Sequence, residues 1–297
     1  MNEHVETRSN ATRTGGTEGT ASQSVRPELV EGRESSPATR GSNRLAGRAL
    51  AFLGTALPPL AVLVGLFLAW QLYVDLSGIN AVTLPSPSRV FESGYRNRDL
   101  LWTHSLVTVK ETLIGLFVSI ILGVGLALLI DAFAPARRAL YPLLVGSQTI
   151  PVVVIAPLLV LWFGFGLTPK IVVVTLYTFF PITVAFASGL AATDAESIIL
   201  MRTLGAGRWR TMTLLRIPQA LPYFFTGLRI AVTYATVGAV FAEWSGARNG
   251  LGIYVLLMKN SFRTDMVLAA IMLIAVLSLL LFLLVGLAEK LVVRWRD

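Results

Sequence analysis

The chain contains no cysteine, which excludes a disulfide framework, a thiolate metal site and a cysteine nucleophile together. Histidine is almost as scarce: His4 and His104 stand far apart, without the clustering that a histidine metal centre needs. No metal is expected. Charged residues make up 14% of the 297 positions and hydrophobic ones 54%, with a mean hydropathy of +0.68, whereas soluble domains carry about 25% charged residues. The chain reads as an integral membrane protein. The phosphate-cradling pattern G-x-x-x-x-G-K-[ST] is absent too, so any nucleotide binds elsewhere and no cofactor is expected in this chain. Nor does any apolar stretch hold a histidine, cysteine or paired-carboxylate constellation, which argues against a membrane enzyme.

What the chain does have is a series of long apolar runs. Residues 1–45 are rich in Ser, Thr, Gly and Glu and lack aromatics, so they are expected to form a disordered tail. The next stretch, uncharged from Ala49 to Val74, exceeds the roughly 7–15 residues of a signal-peptide core and should stay as a membrane anchor. Residues 46–83 then comprise the first transmembrane helix and the start of an external loop. Further spans are expected at Thr112–Ile130, Ala139–Pro169, Ile171–Thr193, Leu221–Ala242 and Met266–Ala288. The sum is an all-α fold of six transmembrane helices, with residues 84–297 as its core and a polar insert at 193–218.

The net charge of +8 brackets these spans and therefore reads as a topology signal, with no nucleic acid implied. Placing Arg137, Arg138, Arg202, Arg208, Arg210, Arg216, Lys290, Arg294 and Arg296 inside, together with the arginines of the tail, leaves fewer basic residues outside. Both termini and the insert are then cytoplasmic. Arg229, inside the fifth span, is expected to snorkel to headgroups. Pro142, Pro151 and Pro157 punctuate the third span and Pro181 the fourth, so these helices should pack on one another. Ser119, Gly123 and Ala127 recur every four residues, a small face suited to close helix packing or to lining a path. Phe163, Phe165, Tyr177, Phe179, Phe180 and Phe186 likewise serve either packing or a lining. Lys110 and Glu111 read as interfacial charges at a helix end. Glu243 with Trp244 reads either as an external gate or as an interfacial Trp beside a solvated carboxylate.

The insert opens on Thr193-Asp194-Ala195-Glu196, which fits a capping box with Thr193 as N-cap. A helix carrying Ile198 and Met201 on one face should end at Gly205 and Gly207, whose backbone freedom permits a sharp turn. A second short helix is expected from Arg208, with Trp209, Met212 and Leu215 at helical spacing, until Pro218 and Pro222 stop it. Such a hairpin either lies among lipid headgroups or docks another protein through Trp209, Met212 and the nearby arginines.

Gly205, nine residues, then Leu215-Arg216-Ile217-Pro218 resembles the cytoplasmic signature of permease subunits of binding-protein-dependent ABC importers, approximately E-A-A-x3-G-x9-I-x-L-P. Ile199-Leu200-Met201 stand at its Glu-Ala-Ala positions. "LPSPSRVF" (84–91), "IPVVVIAPLLVLWFGFG" (150–166) and "GLRIAVTYATVGAVFAEWSGARNGLG" (227–252) look like the branch of that family for sulfonates, nitrate and the pyrimidine precursor of thiamine. The resemblance implies a MetI-like type I importer permease fold in the bacterial inner membrane. It implies a coupling helix around Gly205, Ala206, Gly207, Arg208 and Trp209, closed by Pro218, that seats in a cytoplasmic ATPase. It also implies a periplasmic solute-binding protein and a permease homodimer as partners. "GIYVLLMKNSFRTDMVLAAI" (252–271) is similar to permeases for the thiamine pyrimidine precursor, with sulfonate, taurine or nitrate as alternatives. An ion-coupled secondary transporter is the competing class, and it would place coupling-ion groups at mid-membrane; no acidic residue stands in mid-span.

Overall fold

A computed structural model describes residues 40–294, with side chains from Leu57 onward. The tail expected over 1–45 falls outside the described residues as far as 39, and 40–45 belong to the first helix. The chain divides into two compact units, 1–60 and 61–297; the described part of the first is the beginning of helix α1 (Arg40–Ser77). Then come α2 (Pro87–Arg96), α3 (Arg98–Ala132), α4 (Ala134–Ser147), α5 (Val152–Phe163) and α6 (Leu167–Ala191). The polar insert holds α7 (Ala195–Thr203) and α8 (Arg208–Thr211), joined through a π turn (Met212–Arg216) to α9 (Ile217–Trp244). Helices α10 (Leu251–Asn260) and α11 (Thr264–Val292) complete the order.

Among the described residues five helical stretches are long and apolar enough to cross a membrane, and α4 with α5, bent by 97°, is a sixth where the pair counts as one broken span and otherwise a re-entrant loop. The single continuous third span expected over 139–169 is instead two helices. Pro151 lacks an amide donor and disfavours helical backbone at Ile150 before it, so the chain leaves the helix after Ser147 and re-enters at Val152. Gly164, at φ +74°, ends α5. Pro142, Pro157 and Pro181, by contrast, stay inside their helices.

The centre of the larger unit is the trio α3, α6 and α9, with α6 packed most extensively on the other two. Small residues set their spacing. A Cβ on Gly115 of α3 would lie 2.5 Å from Val174 Cβ of α6, and one on Gly227 of α9 would lie 2.6 Å from the Pro181 carbonyl oxygen of α6. The row Ser119, Gly123, Ala127 faces α6: the Ser119 hydroxyl meets that of Thr178, Gly123 abuts Ile182, and Ala127 is fully buried. This is the packing alternative read from the sequence. The buried hydroxyls of Thr112 and Thr178 bond back to their own helices, to the Thr108 carbonyl at 2.7 Å and to that of Val174 at 2.7 Å, whereas the buried Thr236 hydroxyl of α9 has no partner. Among the aromatics, Phe179 and Phe186 are core residues, whereas Phe163 and Phe165 face outward.

Gly227→Ala is expected to lower thermal stability in detergent by about 1–3 kcal/mol, because the added methyl meets backbone that cannot swing aside. Gly125→Ala, where nothing lies within 4 Å, should not lower the melting temperature and should raise it slightly, since Ala favours a helix interior over Gly by about 0.5–1 kcal/mol.

Candidate functional site

The insert begins one residue later than the capping box requires. Asp194 is the N-cap of α7, its carboxylate accepting the Ser197 amide at 2.9 Å and the Ser197 hydroxyl at 3.0 Å. These bonds hold the Asp194 carboxyl below the usual carboxylate range, so the cap is present at neutral pH and lost on acidification. Thr193, the expected cap, instead donates to the Leu190 carbonyl at 3.1 Å and closes the end of α6. At the other end of α7 the Ala206 amide bonds the Met201 carbonyl and the Gly205 amide bonds that of Arg202, both at 2.9 Å. This is a Schellman turn, and Gly205 supplies its left-handed residue at φ +79°. Gly207, paired with Gly205 in the sequence reading, has an ordinary φ of −69° and serves as the extended cap of α8.

Helix α8 starts at Arg208 as expected, but Pro218 and Pro222 do not stop it. The backbone widens into the π turn, where the Ile217 amide reaches back five residues to the Met212 carbonyl, and continues into α9. Pro218 follows the π turn directly and stands in the first turn of α9.

Long-range bonds then tie the hairpin down. Arg216 donates both Nη groups to the Asp131 carboxylate, each at 2.7 Å, and Nη2 also to the Leu190 carbonyl at 2.8 Å. Arg208 Nη2 donates to the Ala132 carbonyl at 2.9 Å. The ends of α3 and α6 are thereby fixed to the insert, a link that sequence reading missed because the partners are remote along the chain. With Arg208 and Arg216 engaged on helix ends, the hairpin presents apolar residues outward: Trp209 is 79% and Leu204 74% exposed, with Ile199, Leu200 and Leu214 also exposed, beside the exposed Arg202 and Arg210. Arg229 does not simply snorkel; it pairs with Glu289 of α11 at 2.7 Å and lies over the Phe282 ring.

At the opposite end of α9, Glu243 is fully buried, which removes the solvated-carboxylate reading. It accepts the Thr108 hydroxyl at 2.6 Å and the Gly252 amide at 2.5 Å. Thr108 in turn accepts the Leu251 amide at 2.8 Å, and His104 Nδ1 accepts the Gly250 amide at 2.9 Å. Side chains of α3 and α9 thus satisfy the free donors at the start of α10, which a helix leaves without internal partners. Gly250, at φ +133°, brings backbone against the carboxylate where a Cβ would collide with it. Trp244 Nε1 donates to the Gly252 carbonyl at 2.9 Å. Beside this cluster Glu111 pairs with Lys170 of α6 at 2.5 Å, both largely buried. The expectation of interfacial charges at a helix end fails for Glu111, since α3 begins at Arg98 and carries it inward against α6; Lys110 is exposed.

Residues 115–294 match the model of the family described as "Binding-protein-dependent transport system inner membrane component". The chain is similar to the formylaminopyrimidine transport permease protein ThiX of Halalkalibacterium halodurans, at 39% identity over 81% of this chain and 96% of that protein. It is also similar to the riboflavin transport system permease protein RibX of Chloroflexus aurantiacus, at 37% identity over 87% and 97%. An inward-facing structure of the MetNI methionine ABC transporter shares the fold, with a TM-score of 0.58 at 19% identity over 65% of this chain and 96% of that chain.

Removing the buried carboxylate is expected to separate two losses. Glu243→Ala strands the Gly252 amide, at a cost of about 1–3 kcal/mol for a buried group left unpaired, and leaves the Thr108 hydroxyl only its longer bond to the His104 carbonyl at 3.3 Å. Glu243→Gln keeps an acceptor and should cost less, so thermal unfolding in detergent should rank Ala below Gln below the unaltered chain.

Proposed function

The chain belongs to the family of binding-protein-dependent transport system inner membrane components, and from that membership we propose how its insert works. It is an ABC transporter permease and a multi-pass inner-membrane protein, and ATP hydrolysis in this family resides in a partner subunit. The ion-coupled secondary transporter falls away with that assignment. In the proposed reading the α7–α8 hairpin is a coupling element seated in a cytoplasmic ATPase, with Ala206, Gly207, Arg208 and Trp209 near the contact. Gly205 makes its turn, and Pro218 marks the passage into the membrane. One observation carries this: a short hairpin in a polar segment exposes Trp209 and Leu204 at its turn, with its arginines 208 and 216 engaged on its own helix ends. An exposed Trp flanked by basic residues has the composition of an interface anchor.

Both termini and the insert face the cytoplasm, in keeping with the excess of basic residues on that side. Residues 84–297 form the permease core, and a second copy of the chain completes the translocation path. A periplasmic binding protein delivers solute at the opposite end, where Glu243 and Trp244 belong to the external gate. ATP-driven closure of the ATPases pulls the hairpins and shifts the permease between its two openings. The solute is a small nitrogen heterocycle of the type of the thiamine pyrimidine precursor. The relatives named for formylaminopyrimidine and riboflavin support that class.

A photo-crosslinking residue at position 209, in host membranes, is expected to capture a protein whose sequence contains G-x-x-x-x-G-K-[ST]. Adducts to lipid alone would sink the reading in favour of a headgroup-bound hairpin. Trp209→Ala should weaken ATPase binding by about 30-fold, the ~2 kcal/mol expected of an interface hot spot. Gly205→Val should reduce solute uptake because the left-handed turn costs a branched residue about 1–2 kcal/mol, whereas Gly205→Asn should be tolerated.

A further inference from the structure

We propose that Arg216 and Asp131 are positioning residues that lock the end of α3 to the hairpin, so that a pull on the hairpin moves α3, α6 and α9 together. The inference rests on the coupling role proposed for the hairpin. Chain continuity alone links the hairpin to two helices: to α6 through residues 192–194 and to α9 through the π turn. Helix α3 has no such link. Its end is held by Arg216 on the Asp131 carboxylate and by Arg208 on the Ala132 carbonyl.

The geometry suits transmission of force and not merely proximity. Two parallel N–H···O bonds at 2.7 Å fix the orientation of the guanidinium as well as its distance, which a single-point ammonium contact cannot do. The same guanidinium also bonds the Leu190 carbonyl near the end of α6, so one side chain on the π turn spans all three helix ends. Side-chain exposures of 21% for Arg216 and 11% for Asp131 shield the pair from water and salt. The π turn is the only segment of this helix type among the described residues, and it ends on Arg216. Such turns commonly mark functional positions.

The test compares uptake with ATP hydrolysis in the same proteoliposomes, using the full chain assembled with its ATPase and binding protein. Arg216→Lys keeps the charge and loses the fork; Asp131→Asn keeps the shape and loses the charge. Both are expected to assemble and to hydrolyse ATP within about twofold of the unaltered complex. Solute moved per ATP should fall about tenfold or more, a size typical of coupling between separated sites. The absence of native cysteine permits a second arm: Asp131→Cys with Arg216→Cys should regain uptake when bridged by a short bifunctional thiol reagent, and not before. An unchanged uptake per ATP in both single variants overturns the proposal, even if less complex assembles, because that is the signature of a purely structural pair. Loss of residual uptake on bridging overturns it as well, since the pair would then have to part during the cycle. Failure of position 209 to reach an ATPase would instead overturn the coupling role itself, independently of the pair.

Discussion

Helices surrounded by lipid gain nothing by hiding apolar side chains from water, because the alternative environment is equally apolar. Their association depends on close van der Waals contact and on polar groups that have no other partner. In this chain that constraint is met by glycine at the α3–α6 and α6–α9 crossings, where Gly115 admits Val174 and Gly227 admits the backbone at Pro181. A larger residue at either position would separate the helices and forfeit the contacts along their length. The polar links at the two ends of the bundle also depend on this spacing. Asp131 meets Arg216, and Thr108 meets Glu243, only because α3, α6 and α9 lie so close between them.

The two ends spend their polar groups in opposite ways. At the far end, carboxylates are buried, and Glu243 of α9 together with Thr108 and His104 of α3 satisfies the start of α10, which is held from two helices. Removing one partner from a buried ionic or hydrogen-bonded group costs several times what an exposed pair is worth, so such an end resists small displacements. At the insert, Arg208 and Arg216 are turned onto helix ends and apolar side chains such as Trp209 and Leu204 are turned out. One end turns its polar groups onto one another, and the other has an apolar surface available for a partner.

Hydropathy gives the depth of a residue in the membrane but not its direction around the helix, and that distinction governs what could be read from the sequence. The apolar stretches, the turn at Gly205 and the helix starting at Arg208 were legible, because each is a local consequence of composition or backbone freedom. Glu111 and Arg229 were not, since each stands near the edge of an apolar stretch, where an exposed charge and a paired one look alike; Lys170 and Glu289 become their partners only through packing. The N-cap was misplaced by one residue because Thr193 and Asp194 both have capping chemistry, and the hydroxyl of Thr193 was already engaged by α6. Pro151 stands at the break of its span whereas Pro142 and Pro157 stay inside helices, a difference that a proline count cannot supply.

Pro218 was read as a stop, and the reason it is not one bears on the mechanism. A proline can enter a helix where its ring and missing donor are accommodated, and the π turn before it provides that accommodation at the expense of one regular hydrogen bond. A junction that combines a π turn with prolines at 218 and 222 is a natural place for a helix to bend. A bending junction transmits force poorly, because displacement of α8 would be absorbed there before it reached α9. The Arg216 fork crosses this junction and binds the last residue of the π turn to α3 and α6, which bypasses the weak point. The compliant segment and the rigid clamp therefore require each other. The π turn lets Arg216 reach two other helices, and the fork removes the freedom that the π turn would otherwise introduce.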